Sequence, residues 1–479
     1  MNYGMIIHML GWVCYFESMF LALPVVVSLI YREDSGTAFL AVMLLCALVG
    51  FLMIRKKPQN RTIYVREGLV VVALSWIVLS IFGALPFVIS GEIPSLVDAL
   101  FETISGFTTT GASILTDVEA LSHASLFWRS FTHWVGGMGV LVFILAILPL
   151  KGGGAGMHIM RAESPGPSVS KLVPRIRTTA LILYSIYFGM TVLEIVILLA
   201  GGMPLFDALT ISFGTAGTGG FAIKNSSLGD YSAFIQVVVT IFMILFGVNF
   251  NVYYLLLKKK AGQALRSAEL WGYLGIIGAS TLVITISILP MFPNAQEALR
   301  HAFFQVGSII TTTGFATADF NQWPEIARTI LVMIMFVGAC AGSTGGGIKV
   351  SRVIILLKGV KKEISMVCHP RAVKKVKMDG RALEHGVVRS INAFIVLYVV
   401  IFAASLLVIS LDNKDMITNF TAVAATMNNI GPGLEIVGPT GNFSSFSDLS
   451  KFVMMFDMLA GRLELLPMMI LFVPATWKR

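Results

Sequence analysis

The chain has 479 residues, of which 56% are hydrophobic and only 13% charged, with a formal net charge of +9. A soluble domain of this length needs far more polar surface, so the composition excludes one and describes a polytopic membrane protein. The positive charge does not imply a nucleic-acid partner, because 27 of the 35 Lys and Arg residues fall in 55–66, 151–177, 258–266, 349–389 and the last two positions.

Short loops rich in Lys and Arg stay cytoplasmic. The segment 91–128 carries Glu92, Asp98, Glu102, Asp117 and Glu119 and no Lys or Arg. Both termini and the basic loops are therefore expected inside, with lipid as the surrounding partner and no nucleic acid.

Residues 1–66 read as a pair of spanning helices, 5–31 and 37–54, joined at Arg32-Glu33-Asp34 and stopped by Arg55-Lys56-Lys57-Pro58. The first run has no small-residue cleavage site after it and reads as a retained helix. This pair carries no glycine loop and is expected to pack on one flank.

From Glu67 onward a unit occurs four times, in 67–177, 178–266, 267–384 and 385–479. Each holds a spanning helix, a short re-entrant helix, a glycine loop and a second spanning helix. These run 68–90, 95–108, 109–116 and 124–149 in the first unit, then 178–200, 204–217, 218–223 and 231–257. The third has 268–293, 297–311, 312–319 and 323–358, and the fourth 385–411, 415–428, 429–436 and 448–475. The fold class expected is all-α: ten transmembrane helices plus four re-entrant pore helices, in four parallel repeats with pseudo-fourfold symmetry and the extra N-terminal pair. Runs of ~14 apolar residues are too short to span ~30 Å of hydrocarbon, and irregular backbone at that depth survives only against protein or a water-filled cavity.

The four loops are in phase. Thr108-Thr109-Thr110-Gly111 repeats as Thr311-Thr312-Thr313-Gly314, with looser copies at Thr218-Gly219-Gly220 and Asn428-Asn429-Ile430-Gly431. Thirteen residues before the glycines lie Asp98, Asp207, His301 and Thr418. Glycine takes positive φ without a Cβ penalty, so successive carbonyls can turn toward one axis and replace an ion's hydration shell. Neutral oxygens suit a weakly hydrated monovalent cation such as potassium. The residues expected to hold it are Thr109, Thr110 and Gly111; Thr218, Gly219 and Gly220; Thr312, Thr313 and Gly314; and Asn429, Ile430 and Gly431. The fourth loop offers an amide in place of a hydroxyl, so the ring is only roughly fourfold. Asp117, Glu119, Asp230, Asp319, Glu325 and Glu435 would concentrate cations at its outer face.

Five glycines in 338–347 cannot hold a lipid-exposed helix. This break, with Gly345, Gly346 and Gly347, is expected to act as a mobile gate under the loops. A phosphate-binding loop is the competing reading, but Gly347-Ile348-Lys349 lacks the Gly-Lys-Ser/Thr step and no strand precedes it. Arg462 falls near mid-depth of the last span, where an ionised side chain needs water or a partner: Glu464, Asp457 or the glycine break. Placed in the path, it would help keep it shut. Asn249 and Asn251 are weaker candidates for lining a cavity, and Glu194 has no role assigned. Cys14, Cys46, Cys340 and Cys368 have no metal-like spacing and read as unpaired thiols.

Several motifs together resemble one family: 339–349, the His369-Pro370-Arg371-Ala372-Val373 run, 428–433, Gly461-Arg462-Leu463-Glu464, Gly136-Gly137-Met138-Gly139 and the segment 161–167. They are similar to the TrkH/TrkG/KtrB superfamily of bacterial potassium-uptake membrane subunits, over essentially the whole chain. The resemblance implies a multi-pass protein of the bacterial inner membrane, working as a homodimer with a pore in each protomer. It implies a cytosolic TrkA-type ring, through which alone a nucleotide (ATP/ADP or NAD) enters, and no covalent cofactor. It assigns the ion path to the twelve loop residues above, and gating to the glycine break and to an arginine matching Arg462. The second loop, 215–220, departs from the pattern in being richer in glycine. The basic stretch 358–381 is the natural contact for the ring. An ion-coupled (H+ or Na+) symporter is the alternative mechanism, though carriers tend to have inverted repeats and midplane carboxylates. No nucleophile, base and orienting group cluster together, so an enzyme is not expected.

Overall fold

A computed structural model describes residues 1–56, 58, 63–139, 176–371 and 374–478. The end of the predicted 124–149 helix, the motif at 161–167, nearly all of the basic segment 151–177, and Ala372 and Val373 lie outside these residues.

The long helices come first in each part of the chain. They are α1 (Tyr3–Tyr31), α2 (Gly36–Arg55), α3 (Val65–Ser90), then the short α4 (Leu96–Phe107) and α5 (His123–Met138). Next follow α6 (Ile176–Ala200), the short α7 (Leu205–Gly217), and α8 (Ala233–Phe246) with α9 (Phe250–Leu257). The third group is α10 (Ala268–Ile288), the short α11 (Ala295–Ile310), α12 (Glu325–Val337) and α13 (Val350–Cys368). A two-stranded antiparallel hairpin, β1 (Lys377–Met378) and β2 (Arg381–Ala382), precedes α14 (His385–Ile409), the short α15 (Met416–Met427) and α16 (Asp448–Arg462).

Where these helices begin is written locally. Ser95, Ser122, Ser232, Ser267, Asn294, Asp415 and Ser447 each accept a hydrogen bond from the backbone N–H three residues on. Such a cap is worth about 1 kcal/mol to the helix it starts.

Among the described residues, six helical segments are long and apolar enough to cross a membrane, and α8 with α9 pass together as a pair bent by 89°. The helix after each glycine loop is interrupted, where the sequence predicts an interruption only in the third unit. α5 reaches a left-handed Gly139, α8 bends into α9 at 247–249, α12 and α13 are separated by 338–349, and α16 stops before left-handed Glu464 and Leu465. The predicted continuous helices 231–257 and 448–475 are therefore not formed. At these levels the helices pass under the preceding loops: a Cβ on Gly136 would meet the Phe107 carbonyl, on Gly247 the Thr311 side chain, and on Gly461 the Met427 carbonyl.

The pair α1 and α2 packs against α3, and α1 also against α5, sharing one apolar core with α14 to α16. Glu33, in the α1–α2 turn, fixes this seat. It accepts hydrogen bonds from the backbone of His123 at 2.8 Å and of Ala124 at 3.1 Å, and pairs with the His123 ring at 2.8 Å. Partial burial pushes its carboxyl up, but these hydrogen bonds outweigh it and hold the group below its ordinary value. The four cysteines are free, with only Cys368 exposed.

Candidate functional site

The short helices α4, α7, α11 and α15 end in one shared conformation. In each, the residue two before the glycine is left-handed: Thr109 (φ 56), Thr218 (φ 54), Thr312 (φ 60) and Asn429 (φ 55). The next residue returns its N–H to the helix, from Thr110 to Ser105 O, Gly219 to Gly214 O, Thr313 to Ser308 O and Ile430 to Ala425 O, all within 2.8–2.9 Å. This is the six-to-one closure of a Schellman cap, usually built on glycine. A β-branched residue with positive φ is an outlier that persists only where its surroundings hold it.

After this cap come Gly111, Gly220, Gly314 and Gly431, with φ of 78, 80, 90 and 97. A Cβ on Gly111 would strike the Gly219 carbonyl oxygen, on Gly220 that of Thr313, on Gly314 that of Ile430, and on Gly431 that of Thr110. Each contact leads from one loop to the next, and the fourth returns to the first. The loops thus close a ring in chain order, bringing together all twelve residues expected from the sequence.

What the ring offers is oxygen without formal charge. Thr108 and Thr110 share a hydroxyl hydrogen bond of 2.8 Å, matched by Thr311 and Thr313 at 2.7 Å. Asn429 sits differently: its Nδ2 donates to Thr110 Oγ1 at 2.9 Å and to Met458 O at 2.8 Å, tying the fourth loop to the first. Among the described residues no group of three or more His, Cys, Asp or Glu could hold a metal ion. Backbone and hydroxyl oxygens of this kind suit a weakly hydrated monovalent cation, whereas a divalent ion calls for carboxylates.

Behind the ring stand residues to which no sequence pattern pointed. Glu102 and Arg129 form a buried ion pair at 2.7 Å, and Glu102 also accepts from Ser113 Oγ and the Ile114 amide. Arg129 reaches the Ala222 carbonyl and lies 4.1 Å over the Phe221 ring. His133 bridges the same loops, its Nδ1 2.7 Å from Gly106 O and its Nε2 accepting from the Phe221 amide at 3.1 Å. Those partners fix a neutral ring with the proton on Nδ1. Removing one half of a buried ion pair leaves an uncompensated charge and costs about 3–5 kcal/mol. Arg129→Ala is therefore expected to lower the unfolding temperature in detergent and to lose monodispersity, while Arg328→Ala, at the rim, changes little; equal melting curves for the two would refute the strut.

Three of the outer acids, Asp117, Glu119 and Glu435, tie one segment to another, and the other three bind within their own. Asp117 and Glu119 bind Asn225, Asp230 accepts from Ser226, Asp319 caps the turn at 320–322, and Glu325 and Glu435 pair with Arg328. Together with Ser227 to Ala316, Asn321 to Glu435, and Phe443 to Ser113, the ties between segments link the stretches outside the four loops in the same cyclic order.

Beneath the ring lies the glycine break. The Gly346 amide donates to Thr312 Oγ1 at 2.6 Å, so the break touches the third loop directly. Lys349, left-handed at φ 82, donates its Nζ to the Gly345 carbonyl. Arg462 donates to the carbonyls of Thr344 at 2.7 Å, Gly136 at 2.5 Å and Gly137 at 2.8 Å. Of the partners expected for it, the break is found through Thr344; Glu464 pairs with Arg352, and Asp457 accepts from Ser405 at 2.7 Å. Asn249 caps α9, its Oδ1 accepting from the Asn251 amide. Glu194 is fully buried on α6 beside Thr215 of α7.

A family model described as TrkH, cation transport protein, matches residues 35–479. The chain is 38% identical to the Trk system potassium uptake protein TrkH of Salmonella typhimurium, covering all of both chains. It is 34% identical to the Trk system potassium uptake protein TrkG of Escherichia coli, over 98% of each. The crystal structure of the potassium transporter TrkH from Vibrio parahaemolyticus is similar throughout, with a TM-score of 0.89 and 32% identity over the full length of both chains. This chain belongs to the TrkH family of cation transport proteins.

Proposed function

We propose that the chain takes up potassium across the bacterial inner membrane through a channel-like path, with the four-loop ring as its selectivity filter. The observation that carries this reading is the cyclic contact of four loops with matching backbone angles, an arrangement that would let their carbonyls face one axis. Four parallel repeats, 67–177, 178–266, 267–384 and 385–479, would each supply a re-entrant helix, with ten spanning helices in all and both termini inside. The twelve loop residues bind the ion. The break at 338–347 and Arg462 form the gate. The membrane potential supplies the driving force, worth ~2.3 kcal/mol per charge per 100 mV.

The relatives' names place them in a Trk system, which supports a multi-component assembly here too. The chain would act as a homodimer with a cytosolic TrkA-type ring on its inner face, the ring carrying any ATP/ADP or NAD. One observation favours the alternative of H+- or Na+-coupled symport: Glu17, Glu194 and Asp457 are carboxyls fully buried in helices of the membrane part. Purified protein in liposomes decides between them. Rubidium uptake is expected to saturate, to be competed by potassium more strongly than by sodium, and to survive collapse of the proton gradient at constant voltage. Uptake that vanishes on that collapse would favour the symporter.

A further inference from the structure

The glycine break is tethered at both ends to one side chain. Val350 returns its N–H to Ala339 O at 3.1 Å, closing the base of the loop, and the bend between α8 and α9 brackets it through Cys340 N to Gly247 O and Phe250 N to Gly342 O, both at 3.0 Å. Across that base lies Glu269, in the first turn of α10 and 6% exposed. Its Oε1 accepts from the Ala341 amide at 2.7 Å and from the Ser351 amide at 3.1 Å.

A carboxylate in the first turn of a helix commonly serves its own N-terminus. Here Ser267 already caps α10 by accepting from Leu270, which frees Glu269 to reach across to the break. The residue before it, Ala268, donates its N–H to Asp379 Oδ1 of the β1–β2 hairpin at 2.8 Å. The hairpin, the start of α10 and both feet of the break are thus joined by hydrogen bonds through two adjacent residues.

We propose that Glu269 is the positioning residue that pins the glycine break under the ring. The functional part rests on the reading of the break as the gate. Glu269 touches no ion in this scheme; it acts through the backbone of 341 and 351.

The native thiol next to Ala341 provides the test. Cys340 is 1% exposed, whereas Cys368 is open to solvent. Purified full-length protein is treated with a small cationic methanethiosulfonate, and labelling at each cysteine is followed by peptide mass spectrometry. Glu269→Ala is expected to speed labelling of Cys340 by at least about tenfold, because charge-assisted bonds to two amides are lost. Glu269→Gln, which keeps an acceptor without the charge, falls between it and the wild type. Cys368 labels equally in all three, and Cys14 and Cys46 stay protected. Cys340 as protected in both variants as in the wild type would overturn the proposal, and the Gln variant keeps the test open should the Ala variant fail to fold. Rubidium flux through the same samples, without partner, is expected to rise in the same order with the preference for potassium over sodium unchanged. Exposure of Cys340 without a rise in flux would leave the pin standing and remove the gating role of the break.

Discussion

Gly314→Ser is expected to abolish most of the preference for potassium over sodium, lowering the ratio in competed rubidium uptake by at least about tenfold, which corresponds to ~1.4 kcal/mol. Gly314 has φ 90, and an added Cβ would meet both the Ile430 carbonyl oxygen and Pro432 Cδ, the latter at 3.0 Å. The strained backbone alone costs about 1–3 kcal/mol. Relief would come by swinging the Ile430 carbonyl away, and that oxygen belongs to the ring. Gly278→Ser is the control, since nothing lies within 4 Å of a Cβ there; it should leave both uptake and preference intact. A Gly314→Ser protein that folds and keeps the wild-type ratio would remove the third loop from the filter.

The ring is legible in the sequence because its demands are local. A glycine needed for both φ and close approach cannot be replaced, so it recurs two residues after the left-handed residue that closes each short helix. The left-handed residue two positions earlier is less visible: threonine holds it in three loops, and its conformation comes from the neighbouring chains. Asn429 is the odd member by letter, yet asparagine is the side chain that tolerates φ of 55 best after glycine. The breaks in α8/α9 and after α16 went unread for a different reason. Apolar runs such as 231–257 satisfy the hydropathy of a span whether or not they bend, and the bend lies where Gly247 packs so closely on Thr311 and Tyr273, from another part of the chain, that a Cβ would clash. Glu102, Arg129, His133 and Glu269 are likewise set by contacts 27 to 93 residues away. An ionisable group inside an apolar run is the one signal that could have marked them, and it says that a partner exists without saying which.

Arg462→Ala is expected to raise partner-free rubidium flux in liposomes on the order of tenfold while leaving the potassium preference at its wild-type value, because the ring above keeps its geometry. The guanidinium spans two structures: the last turn of α5, through Gly136 and Gly137, and the glycine break, through Thr344. A charge inside a membrane helix costs at least ~2.5 kcal/mol, and hydrogen bonds involving a charged group return about 1.5–3 kcal/mol each, so these carbonyls contribute to holding the side chain in place. If the break is the gate, opening it is expected to break these bonds together. Two causes of closure separate cleanly in Arg462→Lys. If the positive charge alone repelled the permeating ion, lysine would keep the path as tight as arginine does. If the tie to both structures is what closes it, an ammonium cannot reproduce a planar fork bridging carbonyls on two sides, and the lysine variant should leak nearly as much as alanine. The geometry at Gly136, Gly137 and Thr344 favours the second outcome, and a lysine variant as tight as the wild type would return the gate to simple charge repulsion.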